Sequence, residues 1–364
     1  MGGEIVMTIK EIATMCGTSV ATVSRVLNNP DYKCADPKLK ERIWMLAGKY
    51  DYVPNEAARN LKMSKSKAEK VFHINIIVTR IGAGETDPFY NELLGMVSTE
   101  LHHHLCVMSN LWYMPYFAPD KKYGKKEIHD NLKKILNQPQ DKMDGLIIMG
   151  KCKKEVLDIL KNRFKGVAMI VRNHADYGVD EVLLDGNQVA STALEYLISL
   201  GHKKIGYIGD CTFDECFTGY MNAMKIHQLA INMDYVIEAA RSEDGGYAAM
   251  EQILAMSDRP TAIFCLVDAI AIGALKRLNK RKNKLYMPSI IACDGIEEGK
   301  YTNPMLTTVE SPKEDMAKLA VLLLLNRLSK GHKSPARVVV EGNLIIRESC
   351  KSVVEGEDSI EYYI

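Results

Sequence analysis

The spacing of apolar residues separates a short helical head from a long body. Within residues 8–53, apolar side chains recur at helical spacing in three segments. The first segment opens on Thr8 and Glu11, whose spacing is typical of a capping box, and it closes at Gly17. We therefore expect three short helices: one after Thr8, one over Val20–Asn28 and one from about Pro37 to Tyr50.

From residue 71 onward, short apolar runs alternate with amphipathic segments. The apolar runs predict strands at His73–Thr79, Leu105–Trp112, Gly145–Met149, Ala168–Val171, Lys204–Ile208, Ala262–Leu266 and Ser289–Cys293. The amphipathic segments predict helices that include Tyr90–His102, Glu127–Leu136, Gln188–Leu200, Tyr247–Ala255 and Ala269–Leu278. This alternation indicates parallel sheets built from βαβ units, and its length indicates two α/β lobes.

Composition places the chain among globular proteins. Hydrophobic residues make up 47% of its 364 residues and charged residues 26%, which excludes a disordered chain, a collagen and a disulfide scaffold. The longest apolar run, Leu319–Leu325, is far shorter than the roughly 18 residues that cross a bilayer. Residues 1–7 lack the features of a secretory signal, and the nine scattered cysteines indicate free thiols. These features predict a soluble cytoplasmic protein.

Charge is distributed unevenly although the formal net charge is only +1. Residues 1–70 carry 12 Lys/Arg against 8 Asp/Glu, whereas the remainder carries 35 against 38. A basic head on a slightly acidic body favours a polyanionic partner for the head. A solvated basic face with no such partner is the alternative.

Two short helices joined at Gly17 are typical of a helix-turn-helix, whose second helix enters the major groove of DNA. Within the second helix, helical spacing turns Val23 and Val26 inward. Arg25, which is turned outward, suits the O6 and N7 atoms of guanine, and small apolar side chains suit a thymine methyl group. We expect DNA contacts from Thr8, Ser19, Val20, Ala21, Thr22, Ser24, Arg25 and Asn28. An ordinary three-helix cap with a polar face remains the alternative on this pattern alone.

The head also resembles a known family. Its segments TIKEIA (8–13) and SVATVSRVLN (19–28), with Gly17 between them, are similar to the head of the lactose/galactose repressor (LacI–GalR) family of bacterial transcriptional regulators. Body segments in the family order include LGHKKIGYIG (200–209), DAIAIG (268–273), CDG (293–295), PMLTTV (304–309) and LIIRES (344–349). The likeness covers about residues 8–350, and the head motif is highly specific.

The segment after the head resembles the hinge helix of that family. It comprises YVPN (52–55) and ARNLK (58–62), and a Ser- and Lys-rich linker follows to residue 70. The resemblance implies that Leu61 wedges between base pairs in the minor groove, with further DNA contacts from Asn55, Ala58, Arg59 and Lys62. So short a segment is not helical alone in water, so we expect it to order only on bent DNA.

The resemblance implies a small all-α head on an α/β body of two Rossmann-like parallel-sheet lobes, as in periplasmic binding proteins. We expect a head at 8–53, a hinge and linker at 54–70, a body at 71–350 and a tail at 351–364. Three crossovers are expected near Asp176–Val179, Val309–Ser311 and His332–Pro335. They divide the body into one lobe of 71–175 plus 311–331 and another of 180–308 plus 336–350.

The family binds its effector between the lobes, at the carboxyl ends of the strands. Expected effector contacts are Phe89 and Tyr90 for stacking, Asp294 for hydroxyl groups, and Arg172, Cys216, Arg241, Val267 and Ser311. Cys216 and Arg172 stand where the family usually has Arg and Asp. This exchange suggests an anionic effector, such as a sugar phosphate, held by Arg172 and Arg241. The alternative is that these arginines pair with nearby acids and that the effector is a neutral sugar.

No nucleophile–base motif, metal-ligand spacing or phosphate loop is evident in the sequence, so we expect no catalytic residues, cofactor or metal. The sequence predicts a repressor that binds a near-palindromic double-stranded operator as a homodimer joined through its lobes and responds to a small molecule, most simply a sugar. A solute-binding protein of periplasmic type and an α/β enzyme are the alternatives.

Overall fold

A computed structural model describes residues 8–28, 32, 36–50, 71–82, 87–173, 177–212, 214–281 and 285–353. The chain divides after Lys70 into two compact units. No helix in the described ranges is long and apolar enough to cross a bilayer.

The head consists of the three predicted helices: α1 (Ile9–Cys16), α2 (Val20–Asn28) and α3 (Pro37–Lys49). The capping box at the start of α1 is confirmed, because the Thr8 amide donates to Glu11 Oε2 at 2.7 Å and Thr8 Oγ1 accepts from the Glu11 amide. Gly17 ends α1 with a φ of +63°, a backbone conformation that costs glycine little. The inward faces form one core of Ile12, Ala13, Cys16, Val23, Val26, Leu27, Ile43, Leu46 and Ala47.

The described residues of the body form two six-stranded sheets. The strands are β1 (His73–Val78), β2 (Val107–Tyr113), β3 (Gly145–Met149), β4 (Gly166–Val171), β5 (Asp180–Leu184), β6 (Ile205–Gly209), β7 (Val236–Glu238), β8 (Ala262–Cys265), β9 (Ser289–Asp294), β10 (Thr307–Glu310), β11 (Arg337–Val340) and β12 (Asn343–Ile345). The first sheet is parallel throughout, in the order β11-β5-β4-β3-β1-β2. The second has the order β12-β10-β9-β8-β6-β7, and only β12 is antiparallel.

Helices cover the faces of both sheets. They are α4 (Pro88–His103), α5 (Lys125–Leu136), α6 (Lys154–Arg163), α7 (Gly186–Ser199), α8 (Glu215–Ile226), α9 (Glu243–Ala255), α10 (Asp268–Asn279) and α11 (Lys313–Leu328). Helix α11 packs against β3, β4 and β5 and against α4, so it belongs to the first sheet although it follows β10 of the second. We call the units built on the two sheets the first lobe and the second lobe. This architecture confirms the predicted fold class.

The division between the lobes differs from the expected one. Strands β5 and β11 pair with each other in the first sheet, whereas the expected boundaries put both in the second lobe. The chain therefore crosses after β5, after β10 and after β11, the first and last crossovers lying later than expected. The physical reason is long-range, because buried Asp180 at the start of β5 accepts two hydrogen bonds from Arg327 of α11, at 2.6 and 2.7 Å.

Candidate functional site

Helix α2 presents a polar ridge on the surface of the head. Val23 and Val26 are fully buried, while Ser19, Ala21 and Arg25 are exposed and Val20 keeps 40% of its surface. These positions follow from the helical repeat, which turns the valines into the core.

Hydrogen bonds hold the start of this ridge in place. Ser19 Oγ accepts from the Thr22 amide at 3.1 Å, which caps the helix, and lies 2.9 Å from Thr22 Oγ1. Arg25 Nη1 is 3.5 Å from the hydroxyl of Tyr32, and Arg25 is exposed. The ridge is thus an exposed set of short polar side chains around one arginine.

The remaining expected DNA contacts lie partly in the described head and partly outside the described residues. The hydroxyl of Thr8 donates to Glu11 within the capping box, and Ser24 is half-buried on α2. The backbone of Asn28 ends α2, but its side chain lies outside the described residues. The hinge contacts expected from Asn55, Ala58, Arg59, Leu61 and Lys62 lie outside the described residues as well.

A cavity of about 410 Å³ lies between the lobes, at the carboxyl ends of both sheets. The first lobe contributes residues that follow β1, β3 and β4, and the second contributes residues that follow β6, β7, β8 and β9. This is the crevice in which open α/β sheets bind ligands. Its charged and polar lining comprises Arg80, Asp87, Asp120, Lys151, Arg172, Asn173, Asp210, Asp214, Arg241, Ser242, Glu243, Asp294 and Glu298.

Three arginine–carboxylate pairs dominate this lining. Arg80 and Asp120, both in the first lobe, lie 2.7 Å apart. Arg241 and Asp214, both in the second lobe, lie 2.5 Å apart, and Asp210 is 3.8 Å from the same guanidinium. The third pair joins the lobes.

That third pair is Arg172 with Asp294, connected through Nη2 and Oδ1. Arg172 directly follows β4, and Asp294 ends β9. Their side chains are only 13% and 6% exposed.

The electrostatics of the cavity favour ionised pairs. Burial opposes the charge of Asp214, but the guanidinium groups of Arg241 and Arg172 outweigh it and hold the pKa of Asp214 well below its usual range. Burial likewise disfavours the charged form of Arg241, and Asp214 still keeps the pKa of that guanidinium above its ordinary value. The arginines are therefore already neutralised by carboxylates of the protein.

Beneath the cavity, Asp268 is a fully buried carboxylate at the start of α10. It accepts hydrogen bonds from the Ile296 amide at 2.8 Å and from Thr308 Oγ1 at 2.7 Å. Burial raises its pKa to about 6, against the lowering effect of these donors and of Lys313. Asp268 thus supports the turn that carries Asp294 and Ile296.

Six of the eight expected effector residues lie on the cavity wall: Phe89, Tyr90, Arg172, Arg241, Val267 and Asp294. Cys216 and Ser311 are buried away from it. The Cys216 amide donates to Asp214 Oδ1 at 2.9 Å in the cap of α8. Cys216 therefore contributes to the cavity wall by holding the side chain of Asp214. The Phe89 ring faces two cations, since Arg172 Cζ and Lys313 Nζ lie 5.4 and 5.6 Å from its centroid.

The sequence reading missed several wall residues, notably Arg80, Asp120, Asp210 and Asp214. Arg80 and Asp210 each stand within two residues of a strand end, so the strand-end rule applied to every strand would have found them. Asp120 follows a short 3-10 helix, and only the tertiary structure brings it to Arg80. Among the described residues, no group of three or more His, Cys, Asp or Glu side chains is arranged to hold a metal ion.

Comparisons with known proteins agree with both parts of this architecture. Residues 8–55 match the lacI family of bacterial regulatory proteins, and residues 194–350 match the periplasmic binding protein-like domain. The HTH-type transcriptional repressor PurR of Haemophilus influenzae (strain PittEE) is 30% identical over 365 residues, which cover 95% of this chain and 99% of that protein. The ribose operon repressor of Haemophilus influenzae (strain ATCC 51907 / DSM 11121 / KW20 / Rd) is 27% identical over 351 residues, with the same coverage.

A solved structure supports the fold. The LacI family transcriptional regulator from Enterococcus faecium with bound ribose superposes with a TM-score of 0.64 at 20% sequence identity, covering 77% of this chain and 99% of that one. The head, the two-lobed body and the full-length similarity to the repressor PurR together identify this chain as a member of the LacI family of bacterial regulatory proteins.

Proposed function

We propose that the chain is a transcriptional repressor that binds a near-palindromic operator as a homodimer joined through its lobes and responds to a small molecule in the inter-lobe cavity. The observation that carries this proposal is the presence, in one chain, of an exposed polar ridge on α2 and of a polar cavity at the strand ends of the body. The similar proteins named above are transcriptional repressors, which favours regulation over catalysis and a cytoplasmic site of action.

Arg25 is the residue we propose for direct base readout. It is the single arginine of α2, it is exposed, and it stands among short polar side chains that suit phosphate oxygens. An arginine that pairs bidentately with guanine contributes about 1–3 kcal/mol of discrimination at one base pair.

The effector we propose is a neutral polyhydroxylated molecule, most simply a sugar. A hydroxyl group both donates and accepts hydrogen bonds, so it fits beside a guanidinium–carboxylate pair without breaking that pair. An anionic effector held by Arg172 or Arg241 would compete with Asp294 or Asp214 for that guanidinium, and displacing a buried carboxylate from its partner is costly. The paired arginines therefore favour the neutral alternative over a sugar phosphate.

Selection from a random pool of duplex DNA tests the DNA-binding proposal. The full-length protein should enrich a near-palindromic motif, with affinity that falls steeply as salt rises. Arg25→Ala should relax the preference at one position of each half-site. Arg42→Ala, which removes an equal charge from an exposed position of α3, is the matched control and should leave the motif unchanged. Failure of the wild-type protein to enrich any motif would contradict the proposal.

Calorimetry tests the effector class. Ribose and ribose 5-phosphate form a matched neutral and anionic pair of probes, and they can be extended to other sugars and their phosphates. Within each pair we expect the neutral member to bind more tightly. Tighter binding of the phosphorylated members across the series would contradict the neutral-effector proposal while leaving operator binding intact.

A further inference from the structure

The three arginine–carboxylate pairs of the cavity differ in what they connect. Arg80–Asp120 lies within the first lobe and Arg241–Asp214 within the second, whereas Arg172–Asp294 spans the cleft. The first two pairs shape a wall and keep their geometry when the lobes move apart. The third must break when the lobes separate.

Additional contacts bind the same turn of the second lobe to the first. Lys313, at the start of α11, donates through Nζ to the carbonyl oxygens of Asp294 at 2.9 Å and Gly295 at 2.8 Å. The same ammonium group lies 3.1 Å from Glu92 of α4, and Glu92 Oε1 accepts from the Glu297 amide at 3.1 Å. The loop after β9 is therefore held by two helices of the first lobe as well as by Arg172.

The backbone at Asp294 is consistent with a position fixed by its surroundings. Its φ is +128°, which is unfavourable for a residue with a side chain and persists only where neighbouring groups enforce it. Pairing with β10 holds this backbone within its own lobe, and the Lys313 ammonium on its carbonyl oxygen and the Arg172 guanidinium on its carboxylate add contacts from the opposite lobe.

We propose that Arg172 is the positioning residue that closes the cleft without effector, because it bridges the first lobe to Asp294 of the second. The proposal rests on the proposed function, since it assigns to the effector cavity a closed resting state. An effector then binds to lobes that are already associated, and its action is to shift their arrangement rather than to bring them together.

The energetics of the pair determine what a substitution does. Opening the cleft hydrates both charges, so the intact pair favours closure only by the excess of its attraction over the regained hydration. Removing Arg172 alone changes this balance, because the closed state then buries the Asp294 carboxylate without its partner while the open state hydrates it. Arg172→Gln should therefore shift the equilibrium toward open lobes by about tenfold, the effect of losing one charge-assisted hydrogen bond.

The distance between the lobes in solution tests the proposal. Spin labels on genetically encoded keto side chains at Lys133 of α5 and Lys225 of α8 leave the native cysteines unchanged, and both sites are exposed. Labelled chains are diluted with an excess of unlabelled chains, so that a dimer carries at most one labelled chain and only distances within a chain are measured. Pulsed dipolar spectroscopy on the unliganded protein should then give one short distance for the wild type. Arg172→Gln should add a longer-distance population, and Arg172→Lys should restore much of the short one because it keeps the charge.

Arg80→Gln is the matched control, because it removes a cavity arginine whose partner lies in the same lobe; its unliganded distance should equal that of the wild type. Equal distances for Arg172→Gln and the wild type, or equal lengthening in Arg172→Gln and Arg80→Gln, would overturn the proposal. The measurement uses neither DNA nor effector, so it fails or succeeds independently of operator selection.

Discussion

Replacing Gly273 by alanine tests whether the close approach of α9 and α10 positions one wall of the cavity. A Cβ atom at Gly273 would lie 2.6 Å from the carbonyl carbon of Glu243 and 2.8 Å from its Cα, and closer still to the carbonyl oxygen. Ordinary van der Waals contact begins near 3.4 Å, so the two backbones would have to separate by roughly 1.5 Å to relieve the contact with the carbonyl oxygen. Glu243 directly follows Arg241 and Ser242 on the cavity wall, so that displacement moves the wall.

The expected cost follows from the rigidity of the neighbour. Overpacking a core costs about 1–3 kcal/mol, and the upper end applies here because backbone atoms cannot rotate away as a side chain does. The helix propensity of alanine returns up to about 1 kcal/mol. We therefore expect Gly273→Ala to lower the free energy of unfolding by about 2 kcal/mol and to weaken effector binding.

Urea denaturation followed by circular dichroism measures the stability change, and calorimetry with the sugar that binds the wild type measures the affinity. Gly95→Ala is the matched control, because a Cβ at this helical glycine of α4 meets no atom within 4 Å. This variant should gain about 0.5–1 kcal/mol of stability from helix propensity alone. If Gly273→Ala were as stable as Gly95→Ala, the close contact between α9 and α10 would not constrain the wall, and the reasoning would be refuted.

Three further substitutions test the buried charges and the core of the head. Burial raises the pKa of Asp268 to about 6 from an ordinary 3.8. The free energy of unfolding should therefore fall by up to about 3 kcal/mol as pH rises from 4 to above 6. Urea titrations across that pH range should show a flatter dependence for Asp268→Asn than for the wild type. For Asp180 the pH dependence of stability has the opposite sign. Burial opposes its charge, but hydrogen bonds from Arg327, the Ala336 amide and His332 lower its pKa. The stability that ionised Asp180 contributes is therefore lost as pH falls below about 4. Asp180→Asn should cost about 3 kcal/mol at pH 7, and an additive double mutant with Arg327→Ala would exclude this coupling. In the head, Ile12 is fully buried in a small core, so Ile12→Ala should cost about 2–5 kcal/mol there, abolishing operator binding while calorimetry still shows the melting transition of the body.

Local patterns were sufficient for the head. The capping box at Thr8, the glycine that ends α1 and the inward valines of α2 each depend on residues within one or two helical turns of one another. The same holds for the core strands of both sheets, where continuous apolar runs marked β1, β3, β8 and β9 to within a residue or two.

Local patterns were insufficient at the edges of the lobes. Strand β5 begins with two acidic residues, Asp180 and Glu181, and a search for apolar runs does not predict a strand at such a position. Both are buried because arginines far along the chain pair with them, Arg327 from α11 and Arg337 from β11. These distant partners and the pairing of β5 with β4 and β11 place the strand in the first sheet, which shifts the lobe boundaries.

The sequence by itself determined the helical head, the alternating strands and helices of the body, and which strand ends carry charge, because these depend on the repeat of side chains along a helix or strand. Only the tertiary structure decided that Arg172 meets Asp294, 122 residues away, and that every cavity arginine already has a carboxylate. An ion pair depends on a distance of a few ångström between atoms, and no local pattern encodes the distance between residues on different lobes.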